Sequence, residues 1–263
     1  MTTMTVDPRV SPLVGLRNTA TLAWRTLVQI KHNPFELIDF SVQPIMFLVL
    51  FTYVFGGAIS GSTGDYLKFG LPGIIVQNLL FATLNTGVGL NTDISKGVFD
   101  RLRSLPIARY SPLSGRIVAD VIKQAWAVLL LLGVGMILGF RVGTGPLDVL
   151  AAFGLLLVFG LCASWMSVLV AMLVSSPEKV QIFGFVLLFP ITFASNAFAP
   201  TQTMPGWLQA WVKVNPVTVL ADAVRGLLSG GPIATPVTHS LIWAGILLVV
   251  FAPASVWAFR RRV

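Results

Sequence analysis

The sequence predicts an all-α integral membrane protein, a bundle of six transmembrane helices, on three observations. Of its 263 residues 55% are hydrophobic and 11% charged, with a mean hydropathy of +0.84; that is more apolar than a soluble core requires. The apolar residues form continuous runs of the roughly 20 residues that a helix needs to cross a bilayer core. Those runs do not alternate with period two, as the strands of a membrane barrel would.

The first element is residues 11–33. Leu13, Leu16, Ala20, Ala23, Leu27 and Ile30 follow three-and-four spacing with Trp24 alongside, while Arg17, Thr21, Arg25 and Gln29 fall on another face. That pattern predicts a basic amphipathic helix on the inner membrane surface, ended by Pro34. A poorly ordered tail is the alternative. Asp7, Arg9, Arg17, Arg25 and Lys31 interrupt any apolar core here, so no secretory signal peptide is expected and the first span inserts by itself.

The six predicted spans are Phe40–Ile59, Phe69–Leu90, Val121–Phe140, Leu147–Val174, Val180–Ala199 and Val237–Phe259. The fourth has length to spare for tilt. It also holds the sole cysteine, Cys162, which reads as a packing residue because no disulfide partner exists.

Charge sets the expected orientation. Of the 18 lysines and arginines, only Lys68, Arg141, Lys213 and Arg225 fall between spans on the second side; all others fall on the side of both termini. The positive-inside rule makes that side cytoplasmic. The net charge of +8 is therefore expected to reflect orientation and anionic lipid headgroups as partners, and calls for no nucleic acid.

Between the second and third spans lies the most charged stretch, residues 93–116. Val98, Leu102 and Leu105 recur at helical spacing with Phe99 beside them, and Lys96, Asp100, Arg101 and Arg103 occupy the rest of the surface. A short amphipathic helix is expected, capped by Asp93 or Ser95 and ended by Pro106. From the residues alone it is equally a rigid cytoplasmic knob or a loop that only fixes orientation.

A resemblance bears on that choice. The run Gly97, Asp100, Arg101, Arg103, Ser104, Leu105, Pro106, with Pro112, Leu113, Gly115, Arg116 and Asp120, resembles the loop between the second and third spans of type 2 ABC exporter permeases, the daunorubicin-resistance subfamily in particular. Asn215, Pro216 and Arg225 before the last span fit the same pattern. The resemblance covers nearly the whole chain as one permease domain, 1–263. It implies that Val98, Phe99, Asp100, Arg101, Leu102, Arg103, Leu105 and Pro106 form a coupling helix against a separate ATPase subunit. It also implies that residues 200–236 form an outer re-entrant hairpin; without it, Trp207 and Trp211 there read as an interfacial belt.

Chemistry that would power transport from within is missing. There is no GxxxxGK[ST] phosphate loop, so ATP and its Mg are expected on the partner, with no cofactor on this chain. Leu228 to Pro232 read LSGGP, close to an ATPase signature, but lie on the predicted outer side and read as a glycine-rich helix end. No HExxH, GxSxG or Cys/His cluster occurs, and His32 and His239 lie at membrane edges; no catalytic or metal residue is expected. Asp120, Lys123, Asp148, Glu178 and Lys179 are expected at span ends, leaving the span centres uncharged, which argues against proton coupling.

Polar positions inside spans, among them Asn78, Asn85, Thr192, Ser195 and Asn196, are possible pathway-lining residues or bond across helices. The expectation is thus an export permease for a hydrophobic or amphipathic drug, natural product or lipid, with two ATPase copies and a second permease copy, by default a homodimer. A permease for lipid-linked polysaccharide and a non-transporting membrane assembly protein are the alternatives.

Overall fold

The computed structural model describes residues 12–32, 35–98 and 111–262. Among the described residues there is no strand, and the helices are α1 Pro12–His32, α2 Phe35–Leu50, α3 Gly56–Ser60, α4 Thr63–Ser95, α5 Ser111–Ile137, α6 Pro146–Leu173, α7 Pro177–Phe193, α8 Gly206–Val214, α9 Pro216–Ser229 and α10 Ala234–Arg262. A π-helical turn, Phe51–Phe55, joins α2 to α3.

Among the described residues, five stretches are long and apolar enough to cross a membrane: Ser41–Ser60, Thr63–Ser95, Leu113–Ile137, Pro146–Leu173 and Ala234–Phe259. The chain is a multi-pass, all-helical membrane protein. The expected span over 180–199 is realised differently, because α7 stops at Phe193 after 17 residues, about 26 Å of helix against a core of ~30 Å. Its end is drawn into other bonds. The Ser195 hydroxyl donates to the Thr192 carbonyl and accepts from the Ala197 amide, and the backbone N–H of Asn196 donates to Thr218.

The central element is α4, 33 residues long and so about 50 Å from end to end. Ser62 caps its start by accepting from the Asp65 amide at 3.0 Å. Its apolar residues Leu71, Ile74 and Leu79 are buried against Leu131 of α5, Leu156 and Phe159 of α6, and Leu220 and Val224 of α9. Glycines let neighbours approach: a Cβ at Gly73 would overlap the Ala197 backbone, and one at Gly87 would come within 2.6 Å of the Ser167 carbonyl oxygen. The Thr83 and Ser167 hydroxyls meet at 3.1 Å.

One boundary differs from expectation. Asp93 and Ser95 do not cap a separate helix; they lie in the last turn of α4, where Ser95 donates to the Asn91 carbonyl, and Gly97 at φ +66° stops the helix. Helix α5 begins at Ser111, ahead of the expected span, and Asp120 and Lys123 lie within the helix with side chains 4% and 6% exposed.

Helix α1 packs on α5 through Gly15, Thr19, Leu22 and Ala23, where Gly115 leaves room: a Cβ there would come 2.8 Å from Leu22 Cβ. The Ser111 hydroxyl donates to the Gly15 carbonyl. That face takes in Ala23 of the apolar stripe. Close approach selects small residues, which leaves Leu16, Ala20 and Trp24 on an exposed apolar sector and Arg17, Thr21 and Arg25 on a third, polar one.

Helices α8 and α9 follow one another through Asn215, and α9 packs on α4, α6 and α10. Trp207 and Trp211 of α8 are exposed while Val212 is buried, and α9 is buried along most of its length. The LSGGP segment closes α9 with Gly230 and Gly231 at positive φ, as a helix end requires.

Candidate functional site

One face of α4 sets the position of a large cavity. Ile74, Asn78, Phe81, Asn85 and Val88 repeat at three-and-four spacing and so share a side of the helix. They border a space of about 710 Å³ closed by Gln43, Pro44 and Phe47 of α2, Arg116 and Lys123 of α5, and Gln181, Phe185, Phe189 and Phe193 of α7. Gln77 borders it as well. The amides supply donors and acceptors, and Arg116 and Lys123 add positive charge to the lining.

A chain of phenylalanine rings runs around this space. Phe81 meets Phe185 at 5.6 Å between ring centres, Phe185 meets Phe189 at 5.2 Å, and Phe189 meets Phe193 at 4.3 Å. The series crosses to α2 through Phe198, which lies 4.9 Å from Phe193 and 4.8 Å from Phe51; Phe51 in turn stacks on Phe47 at 5.4 Å. Such offset and tilted pairs are favourable beyond the area they bury. Phe185, Phe189 and Phe193 remain exposed, so the rings offer faces to a guest.

At the α5 end of the cavity sits a group of four charges. Arg116 Nε donates to Asp120 at 3.1 Å and Nη1 lies 3.7 Å from Asp93, while Lys123 is 3.7 Å from the other Asp120 oxygen. At the α9 end a second group locks α4, α9 and residues 194–198 together. Arg225 donates to the Phe69 carbonyl at 3.1 Å, stacks 4.1 Å over the Phe69 ring and pairs with Asp222 at 2.5 Å; Asp222 also accepts from the Asn196 amide. Burial pushes the Arg225 guanidinium below its ordinary range and the Asp222 carboxylate raises it again. The Tyr66 hydroxyl adds a bond to the Phe198 carbonyl at 3.2 Å.

Of the residues singled out in the sequence, Asn78 and Asn85 border the cavity. Thr192, Ser195 and Asn196 are buried at the α7 end, where Ser195 and Asn196 bond within the chain. Arg17, Trp24 and Arg25 stand exposed on α1, and Val98 is half-buried. Phe99, Asp100, Arg101, Leu102, Arg103, Leu105 and Pro106 lie outside the described residues. The phenylalanine chain and the cavity-facing Arg116 and Lys123 are not among the residues that the sequence names as pathway lining. The four-residue spacing of Gln181, Phe185, Phe189 and Phe193 is the signal that points to the first of these. Among the described residues no group of three or more His, Cys, Asp or Glu could hold a metal.

Comparison with known proteins agrees with this architecture. The daunorubicin resistance ABC transporter permease protein DrrB1 of Streptomyces coeruleorubidus is 39% identical over 261 residues, 99% of this chain and 92% of that protein. A Mycobacterium tuberculosis protein named "Probable doxorubicin resistance ABC transporter permease protein DrrC" is 30% identical, over 90% of this chain and 86% of that one. The doxorubicin resistance ABC transporter permease protein DrrB of the same organism is 25% identical over 86% and 83%. Residues 17–228 match the ABC-2 type transporter family, and the chain belongs to that family.

Proposed function

We propose that the chain is the membrane subunit of an ATP-driven exporter that moves a hydrophobic or amphipathic compound outward across the cytoplasmic membrane, and that the cavity is its share of the pathway. The observation that carries this reading is the cavity itself. Stacked phenylalanines line one wall and carboxamides another, a pairing that suits a large, mostly apolar guest with a few hydrogen-bonding groups. The drug names of the relatives favour the same class.

ATP and Mg belong to a separate ATPase, two copies of which act on the segments 93–116 of two permease copies. The second permease, a homodimer partner by default, closes the cavity along the exposed α7 face of Ile182, Phe185 and Phe189. In this arrangement α7 with residues 194–200 makes the sixth crossing, the hairpin within 200–236 lies outside, and both termini are cytoplasmic. Helix α1 lies in the inner interface, its Leu16, Ala20 and Trp24 sector toward lipid and its Arg17 and Arg25 toward headgroups.

The test is ATP-dependent uptake of daunorubicin into inverted vesicles containing this chain and its ATPase. Uptake that needs both chains and ATP is expected; uptake by the ATPase-containing vesicles without this chain would refute the assignment.

A further inference from the structure

Arg116 stands where three parts of the molecule meet. On its own helix it donates to Asp120, one turn on. Across to α4 it faces Asp93 in the last turn of that helix. Its guanidinium also occupies the space that a side chain at position 89 would take, since a Cβ on Gly89 would overlap it. Arg116, Gly89 and Lys123 all border the cavity.

The two carboxylates that hold Arg116 differ in a way that decides which contact yields. The Asp120 side chain is 4% exposed and bonded at 3.1 Å, whereas Asp93 is 33% exposed at 3.7 Å. A buried carboxylate stripped of a partner is costly, so the guanidinium stays with Asp120 and travels with α5. A longer, more exposed pair is weak and parts readily. Relative movement of α4 and α5 therefore breaks the Asp93 contact first and lifts the guanidinium off Gly89.

We propose that Arg116 is the positioning residue that carries movement of the α4 and α5 ends into the cavity, with Asp93 and Gly89 forming its seat on α4. Seated, the guanidinium is neutralised by two carboxylates. Unseated, it keeps one, and the α5 end of the cavity becomes more positive. The pathway then holds the same guest with different affinity in the two states, which is what coupling between distant sites requires. The inference rests on the exporter reading above, in which the ATPase acts between α4 and α5.

The experiment uses the full complex in inverted vesicles with daunorubicin as the probe. It compares Asp93→Asn, Gly89→Ala, the double variant and the conservative Asp93→Glu, and the readout is the ratio of drug-stimulated to basal ATP hydrolysis. Asp93→Asn is expected to lower the ratio about fivefold or more, with unchanged amounts of chain and copurified ATPase, and Asp93→Glu to retain it. Gly89→Ala, which alters no charge, gives a similar loss. The double variant is no worse than the stronger single one, because both act through one guanidinium. Wild-type ratios in Asp93→Asn and Gly89→Ala, or losses that multiply in the double variant, overturn the proposal. Should Asp93→Asn fail to assemble, Gly89→Ala decides. A wild-type complex that moves no drug with ATP is instead a failure of the exporter reading.

Discussion

The side-chain amide of Asn215 donates to the backbone carbonyl of Ile191 at 2.7 Å, so a residue between α8 and α9 closes the end of α7. The same amide reaches Ala194 at 2.8 Å, and its carbonyl oxygen accepts from the Val217 N–H, starting α9. One fully buried side chain thus ends one helix and begins another.

Asn215→Asp keeps the oxygen that faces Val217 but turns acceptors toward two carbonyls. It should destabilise the chain by about 1–3 kcal/mol, the cost of leaving buried polar groups unmade, and Asn215→Ala should lose the helix cap as well, about 1 kcal/mol more. Thermal midpoints of the detergent-purified chain check this. An unchanged midpoint for both variants contradicts the capping role.

Gly73→Ala sets a methyl group against the Ala197 backbone, which cannot step aside as a side-chain tip can. A loss of about 1–3 kcal/mol is expected from overpacking. Gly133 has open space where its Cβ would be; Gly133→Ala should instead gain up to about 1 kcal/mol in a helix. Equal shifts for the two would mean that helix propensity, not contact, governs Gly73.

Phe189 and Phe159 separate guest binding from folding. Phe189 is 42% exposed within the ring series, whereas Phe159 is 1% exposed in the core. Phe189→Ala should raise the half-saturating daunorubicin concentration roughly three- to tenfold, the scale of one aromatic pair, with little change in midpoint. Phe159→Ala should cost about 3–5 kcal/mol of stability. Drug uptake kinetics beside thermal melts would show whether the two effects divide this way.

Replacing Arg101, Arg103 and Leu105 together with alanine should abolish drug stimulation of the partner's ATP hydrolysis while leaving the chain in the membrane. Stimulation that survives the triple change removes this segment from the coupling role.

The helical class was legible because 20-residue apolar runs admit little else, and the cavity face of α4 was legible in part because Asn78 and Asn85 break its apolar pattern at helical spacing. Other features were not. Asp120 and Lys123 pair across one helical turn inside α5, and such pairing is invisible to a count of charges along the chain. Thr192 and Ser195 turn into the protein because α7 stops where Asn215, distant in sequence, takes its last carbonyls. The face of α1 that packs on the protein is set by Gly115 on another helix, which its own sequence does not show. For α1 and α7 the deciding contact comes from elsewhere in the chain.

The length of α4 has a mechanical consequence. Gly73, jammed against residue 197, and Gly89, filled by the Arg116 guanidinium, are separated by 16 residues of one helix, about 24 Å. Between them the rod is packed against α5, α6 and α9. A rod held at its middle and pushed sideways at one tip would swing the opposite way at the other, and the cavity, lying along the rod between the two, would widen at one mouth as it narrowed at the other.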